Sequence, residues 1–175
     1  MMKNNIAFLL SNNITLARAI AQEVCKMMDI ELYYVEDRSV DLLNDEGPLK
    51  DKIIDAFGIE AYVDGKFNTD VVAGMDFSTS PILTEIQKLM YEAIIEELSE
   101  YEENVLVVSN EIIQTGLLHL SNHLIVAKFR TGEEYDEYIN VDSARDICEY
   151  FIEPDELDVM AYTLRGCLVQ CWNYS

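Results

Sequence analysis

Three short runs of unbroken apolar residues constrain the fold of this chain more than any other feature: Ile6-Ala7-Phe8-Leu9-Leu10, Val105-Leu106-Val107-Val108 and Leu124-Ile125-Val126-Ala127. A strand with one wet face alternates polar and apolar residues. A strand with no polar position needs cover on both faces, which is the environment of a parallel sheet between layers of helices. Between these runs the apolar period lengthens to that of a helix. Leu16, Ile20, Val24 and Met27 make one stripe over Thr15 to Met28; Ile82, Ile86, Leu89, Ala93 and Ile94 make another, starting at Ser80-Pro81 and expected to run to about Glu103. Ile30 to Val35 reads as a further strand. Strands alternating with helices imply right-handed crossovers. The expected architecture is α/β, a three-layer parallel sheet with helices on both faces.

The remaining segments are punctuated by turn chemistry. A polar stretch from Glu36 to Gly47 leads to Pro48, suited to a first helical turn, and that helix should stop at Gly58. Asp64-Gly65, flanked by short apolar pairs, reads as a tight hairpin. After Lys128 the pattern is mainly helical, with Pro154 separating two helices and Tyr150-Phe151-Ile152 as a weak strand candidate. A chain of 175 residues fits one domain. No run is long enough to span a membrane, and the first residues lack the order of a secretory signal, so the expected location is the cytoplasm.

The net charge of −21 excludes some partners and favours others. Such a field repels nucleic acid and phosphorylated small molecules unless a local basic patch overrides it, so no nucleic acid and no membrane are expected as partners, and the charge reads either as a solvated acidic surface or as the match for a basic protein. Trp172 and Tyr174, with Cys167, Leu168 and Cys171 at helical spacing, suggest a terminal helix whose apolar face docks on its own domain or on a second copy of the chain. Cys25, Cys148, Cys167 and Cys171 form no CxxC pair, so neither a disulfide framework nor a zinc site is indicated. His119 and His123, the only histidines, lack a third ligand placed by motif, and the expected metal content is none.

The first strand runs into Ser11-Asn12-Asn13-Ile14-Thr15-Leu16-Ala17-Arg18-Ala19. Strand, polar turn and helix form the frame of a phosphate site, but this one has neither glycine nor lysine. Asn12, Asn13, Thr15 and Arg18 are the candidate nucleotide-binding residues. Asn12 and Asn13 suit either an anion-binding nest or an ordinary helix cap, and Arg18 either an anion or solvent.

Several stretches together resemble dephospho-CoA kinase, a small P-loop kinase family that phosphorylates the ribose 3'-hydroxyl of dephospho-CoA. They are Ala56 to Asp70 with its Phe57-Gly58 and Asp64-Gly65, then Met75-Asp76-Phe77, the Leu83 to Ile94 helix, and Val107-Val108-Ser109 through Gln114-Thr115-Gly116-Leu117 to Val126. The resemblance spans roughly residues 6 to 128. It implies a P-loop nucleotide-kinase-like core over 1–128 with a helical substrate-site insertion around 45–103, followed by an acidic, mainly helical segment over 129–175, all in one domain. It also places the family's chemistry. The phosphate loop Gly-x-x-x-x-Gly-Lys-Ser/Thr falls on Asn12, Ala17, Arg18 and Ala19, and the Asp-x-Asp after the second strand falls on Val35-Glu36-Asp37. The substrate arginine falls on Thr69, the His-Pro pair on Tyr91-Glu92, and an acidic residue on Gln114. Residues 129 to 175 carry three arginines against eleven Asp and Glu where the family has a basic lid.

Removing one charge-stabilising group costs a phosphoryl transfer about 3 to 4 kcal/mol. The resemblance thus implies a degenerate relative that has lost ATP-dependent transfer and serves as a binding or regulatory pseudoenzyme. Two alternatives stand beside it. One is a divergent active dephospho-CoA kinase using Arg18, Glu36 and Asp37, with ATP, magnesium and a CoA-type ligand as its cofactors and substrate. The other is an acidic protein-interaction module.

Overall fold

The computed structural model describes residues 2–67, 81–110, 116–129, 141–153 and 156–173. In chain order the elements are β1 (Ile6–Ser11), α1 (Ile14–Cys25), β2 (Glu31–Tyr34), α2 (Val35–Asn44), α3 (Pro48–Phe57), β3 (Tyr62–Val63) and β4 (Lys66–Phe67). They continue with α4 (Pro81–Ser99), β5 (Val105–Ser109), β6 (His123–Ala127), β7 (Tyr150–Ile152) and α5 (Leu157–Asn173). The chain divides into two compact units, residues 1–35 with 99–175, and residues 36–98. Thr69, Met75-Asp76-Phe77, Gln114, Pro154 and Tyr174 lie outside the described residues.

The first unit is built on a five-stranded sheet in the order β2-β5-β1-β6-β7, with every pairing parallel. The apolar runs become β1, β5 and β6, and their register puts Phe8 beside Val107 and Leu124. Both faces are buried: Ala7, Leu9, Leu106, Val108, Ile125 and Ala127 point one way, and Ile6, Phe8, Val105, Val107, Leu124 and Val126 the other. Against the first set pack Ala17, Ile20, Ala21 and Val24 of α1 and Met160, Leu164, Cys167, Leu168 and Cys171 of α5, all in one continuous core. The weak strand candidate at 150–152 is β7, so the sheet continues beyond residue 128.

The second unit is a helical subdomain with a hairpin. Leu49, Ile53, Tyr62 and Ile86 form its centre, with Leu42, Leu43, Phe57, Phe67, Leu89 and Met90 around them. Asp64 and Gly65 take positive φ of 53° and 80°, the backbone of a tight two-residue hairpin. Gly58 ends α3 at φ 89°, a backbone conformation that residues with a side chain rarely adopt, so the helix stop favours glycine.

Structure and expectation differ at four places. The second strand ends at Tyr34, and Val35, expected in that strand, opens a helix. The polar stretch after Glu36 is helical from Val35 to Asn44, stabilised by two carboxylates in its first turn and by Arg38, whose guanidinium grips Glu97 of α4 at 2.8 to 3.0 Å. The first helix stops at Cys25 rather than Met28. The long helix stops at Ser99 rather than Glu103.

Candidate functional site

In an open parallel sheet, ligands sit outside the carboxyl ends of the strands. Here the middle strand is β1, and only Asn12 and Asn13 separate its end from α1. Ser11, Asn12 and Asn13 are all buried, at 0%, 1% and 2% exposure, so three polar side chains must find partners inside the protein.

They find them in the backbone. Asn13 caps α1, its Oδ1 accepting the Leu16 N–H at 3.1 Å, while Ser11 Oγ accepts the Asn13 N–H at 3.1 Å. Asn12 reaches across to the strand end of β6: its Nδ2 donates to the Phe129 carbonyl at 3.0 Å and its Oδ1 accepts the Phe129 N–H at 2.9 Å. This two-point clamp lies just beyond the last β1–β6 partners, Ser11 and Ala127. Two N–H groups at the start of a helix, the donors a phosphate cradle aims at an anion, are thereby held by side chains.

The other sequence candidates are placed as follows. Thr15 is exposed in the first turn of α1. Arg18 lies one turn further on, its guanidinium 4.5 Å over the Tyr34 ring, whose hydroxyl accepts from Gln22 at 3.3 Å. Glu36 and Asp37 occupy the first turn of α2, with Asp37 exposed. Tyr91 and Glu92 lie on α4.

Just past β6, Lys128 extends the β6–β7 pairing by donating its N–H to the Ile152 carbonyl at 2.9 Å. Its ammonium binds both carboxylate oxygens of Asp142 at 2.9 Å, and Arg145 joins Asp142 to Glu153 while stacking on Phe151 at 3.7 Å. The Lys128 hydrogen bond holds the Asp142 carboxyl below the usual carboxylate range. Lys128 and Arg145 are thus both engaged with protein carboxylates.

No protein-family model matches the chain, and no curated protein matches it by sequence. Among solved structures, a dephospho-CoA kinase from Campylobacter jejuni is similar, with a TM-score of 0.53 and 11% identity over 97% of this chain and 96% of that one. The fold is the P-loop kinase-like α/β fold. The likeness covers more than the 6–128 span read from sequence.

A second group of chemistry-bearing side chains lies at the opposite, amino-terminal end of the sheet, and sequence reasoning missed it. His123 opens β6, Glu149 directly precedes β7, and Cys171 sits near the end of α5. Parallel pairing of Ile125 with Tyr150 sets the first two side by side, and the Glu149 N–H donates to the Leu124 carbonyl at 2.8 Å. His123 Nδ1 is 2.8 Å from Glu149 Oε2, and the Cys171 thiol points at Glu149 Oε1 at 3.8 Å. His119, four residues before His123, is exposed on a 3-10 turn over Leu117–Leu120 and takes no part in this group. Burial, aided by the Glu149 carboxylate, pushes the Cys171 thiol up to about 12. A spacing rule such as CxxC could not have found the group, because its members are separated by more than twenty residues.

Proposed function

We propose that this is a dephospho-CoA kinase-like protein that has lost phosphoryl transfer and works by binding, as a pseudoenzyme on the P-loop kinase scaffold. The observation that supports this reading is the closed turn after β1. A triphosphate needs N–H groups converging on it, a cation free to neutralise it and a hydroxyl for magnesium. At this turn Asn13 and Ser11 take up the N–H groups of Leu16 and Asn13, and Asn12 is committed to the Phe129 backbone. Arg18 lies over Tyr34. Opening the turn for a phosphate would leave two buried backbone groups of Phe129 unbonded, at about 1 to 3 kcal/mol each. Those residues do not fit Mg-ATP, and no transfer step is assigned to them.

The test is thermal denaturation with Mg-ATP, paired with a coupled assay of ADP release in the presence of dephospho-CoA. The expected result is an unchanged Tm and no turnover above background. A ligand at a hundred times its Kd stabilises by about 2.7 kcal/mol, which is several degrees for a chain of this size. A shift of that size with Mg-ATP, or ADP release abolished in Arg18→Ala, overturns the reading in favour of a divergent active kinase.

A further inference from the structure

We propose that His123, Glu149 and Cys171 form a binding site for a zinc-class divalent cation. A ring nitrogen, a carboxylate oxygen and a thiol sulfur from these residues lie within 4.8 Å of one another. Around a tetrahedral zinc such ligand atoms stand about 3.3 to 3.6 Å apart. The two nearest separations, 2.8 Å from His123 to Glu149 and 3.8 Å from Glu149 to Cys171, bracket that value. Admitting an ion between them asks for side-chain rotations of about 1 Å rather than a change of fold.

The donor set also specifies the class of ion. Sulfur and imidazole select zinc and its neighbours over magnesium or calcium, which prefer oxygen. An ionised thiol, an ionised carboxylate and a neutral imidazole carry two negative charges, which a divalent cation cancels. On binding, the S–Zn bond replaces the S–H bond and the thiol proton goes to solvent, so no redox partner is involved.

The frame that holds the ligands is rigid. Ser121 Oγ accepts the His123 N–H at 3.1 Å and donates to the Ile6 carbonyl at 2.5 Å, and Tyr150 donates to Gln170 of α5 at 2.6 Å. The ring itself is less committed, because His123 Nε2 is buried with no hydrogen-bond partner among the described residues. No backbone carbonyl therefore fixes the tautomer against a metal. Glu149 keeps 34% of its side-chain area in solvent, which gives the ion a way in and a water for its fourth position. Bound there, it would tie together the ends of β6, β7 and α5.

The decisive measurement is titration of the reduced full chain with Co2+ as a spectroscopic probe, followed by displacement with Zn2+. One equivalent should develop a thiolate-to-cobalt charge-transfer band that Zn2+ abolishes and excess Mg2+ does not. Cys171→Ser should lose the band, while Cys25→Ser keeps it. The more exposed Glu149→Gln serves as the variant that preserves the fold. It should weaken Zn2+ binding at least tenfold by calorimetry, with circular dichroism unchanged. No band in the wild-type chain, a band undiminished in Cys171→Ser, or wild-type affinity in Glu149→Gln would each overturn the site.

Discussion

The two ends of the β1–β6 strand pair solve the same problem in opposite ways. At the carboxyl end, Ser11, Asn12 and Asn13 are buried polar residues whose partners are main-chain groups fixed by the fold. At the amino end, His123, Glu149 and Cys171 have mainly one another as partners, and one ring nitrogen is left over. Side chains bonded to backbone are structural, since moving them exposes amides that have no other partner. Side chains bonded only to side chains can rearrange around a third body at little cost. The difference teaches that the buried polar side chains after β1 are held by the backbone of the fold, while those before β6 and β7 are held mainly by one another.

The comparison is broken most severely through the core that links both ends. Leu164 of α5 is fully buried among the residues of α1 and the sheet. Leu164→Ala should lower unfolding stability by about 2 to 5 kcal/mol, measured by urea denaturation. It should also weaken the proposed metal site, because Cys171 lies two turns along the same helix. A loss below about 1 kcal/mol would mean that α5 is not held by this packing.

Asn12→Ala addresses the closed end alone. It strands the N–H and carbonyl of Phe129, which is 5% exposed, so a loss of about 2 to 4 kcal/mol is expected with the urea m-value unchanged. If that variant instead gained affinity for Mg-ATP, the turn would be a latch over a working site, and the contrast between the ends would fall. Asn13→Ala removes only the helix cap and should cost about 1 kcal/mol, with Asn13→Ser recovering most of it.

How far all this could be read in advance follows from the range of the interactions. β1, β5 and β6 were legible because an unbroken apolar run states its own environment, and the Asn13 cap because its partner is three residues away. α2 was not legible: its apolar face is little more than Leu42 and Leu43, and a main anchor, Arg38 on Glu97, is 59 residues distant in sequence. The Asn12 clamp spans 117 residues, and the His123–Glu149 contact 26. Both arise only once parallel register is fixed, and register is a property of the sheet rather than of any one strand. The place of Asn12 between strand and helix suggests a phosphate contact; its observed bonds are to Phe129.

The smallest expected effect separates the two ends by pH. At the closed end Asp142 accepts from Lys128 and lies beside Arg145, which lowers its carboxyl below its unfolded value. A carboxyl lowered on folding contributes stability that is fully present above its unfolded pKa and lost as pH falls through its folded one. The contribution should therefore be constant near neutrality and fade below about pH 4. Because Asp142 is surface-exposed and screened, the effect should be small and shrink with added salt. Wild type and Asp142→Asn compared by urea midpoint from neutral to acid pH should differ slightly at pH 7 and converge at the acid limit. Equal midpoints at every pH would mean that the Lys128–Asp142 pair adds nothing, leaving the neutral Asn12 clamp alone to close the turn.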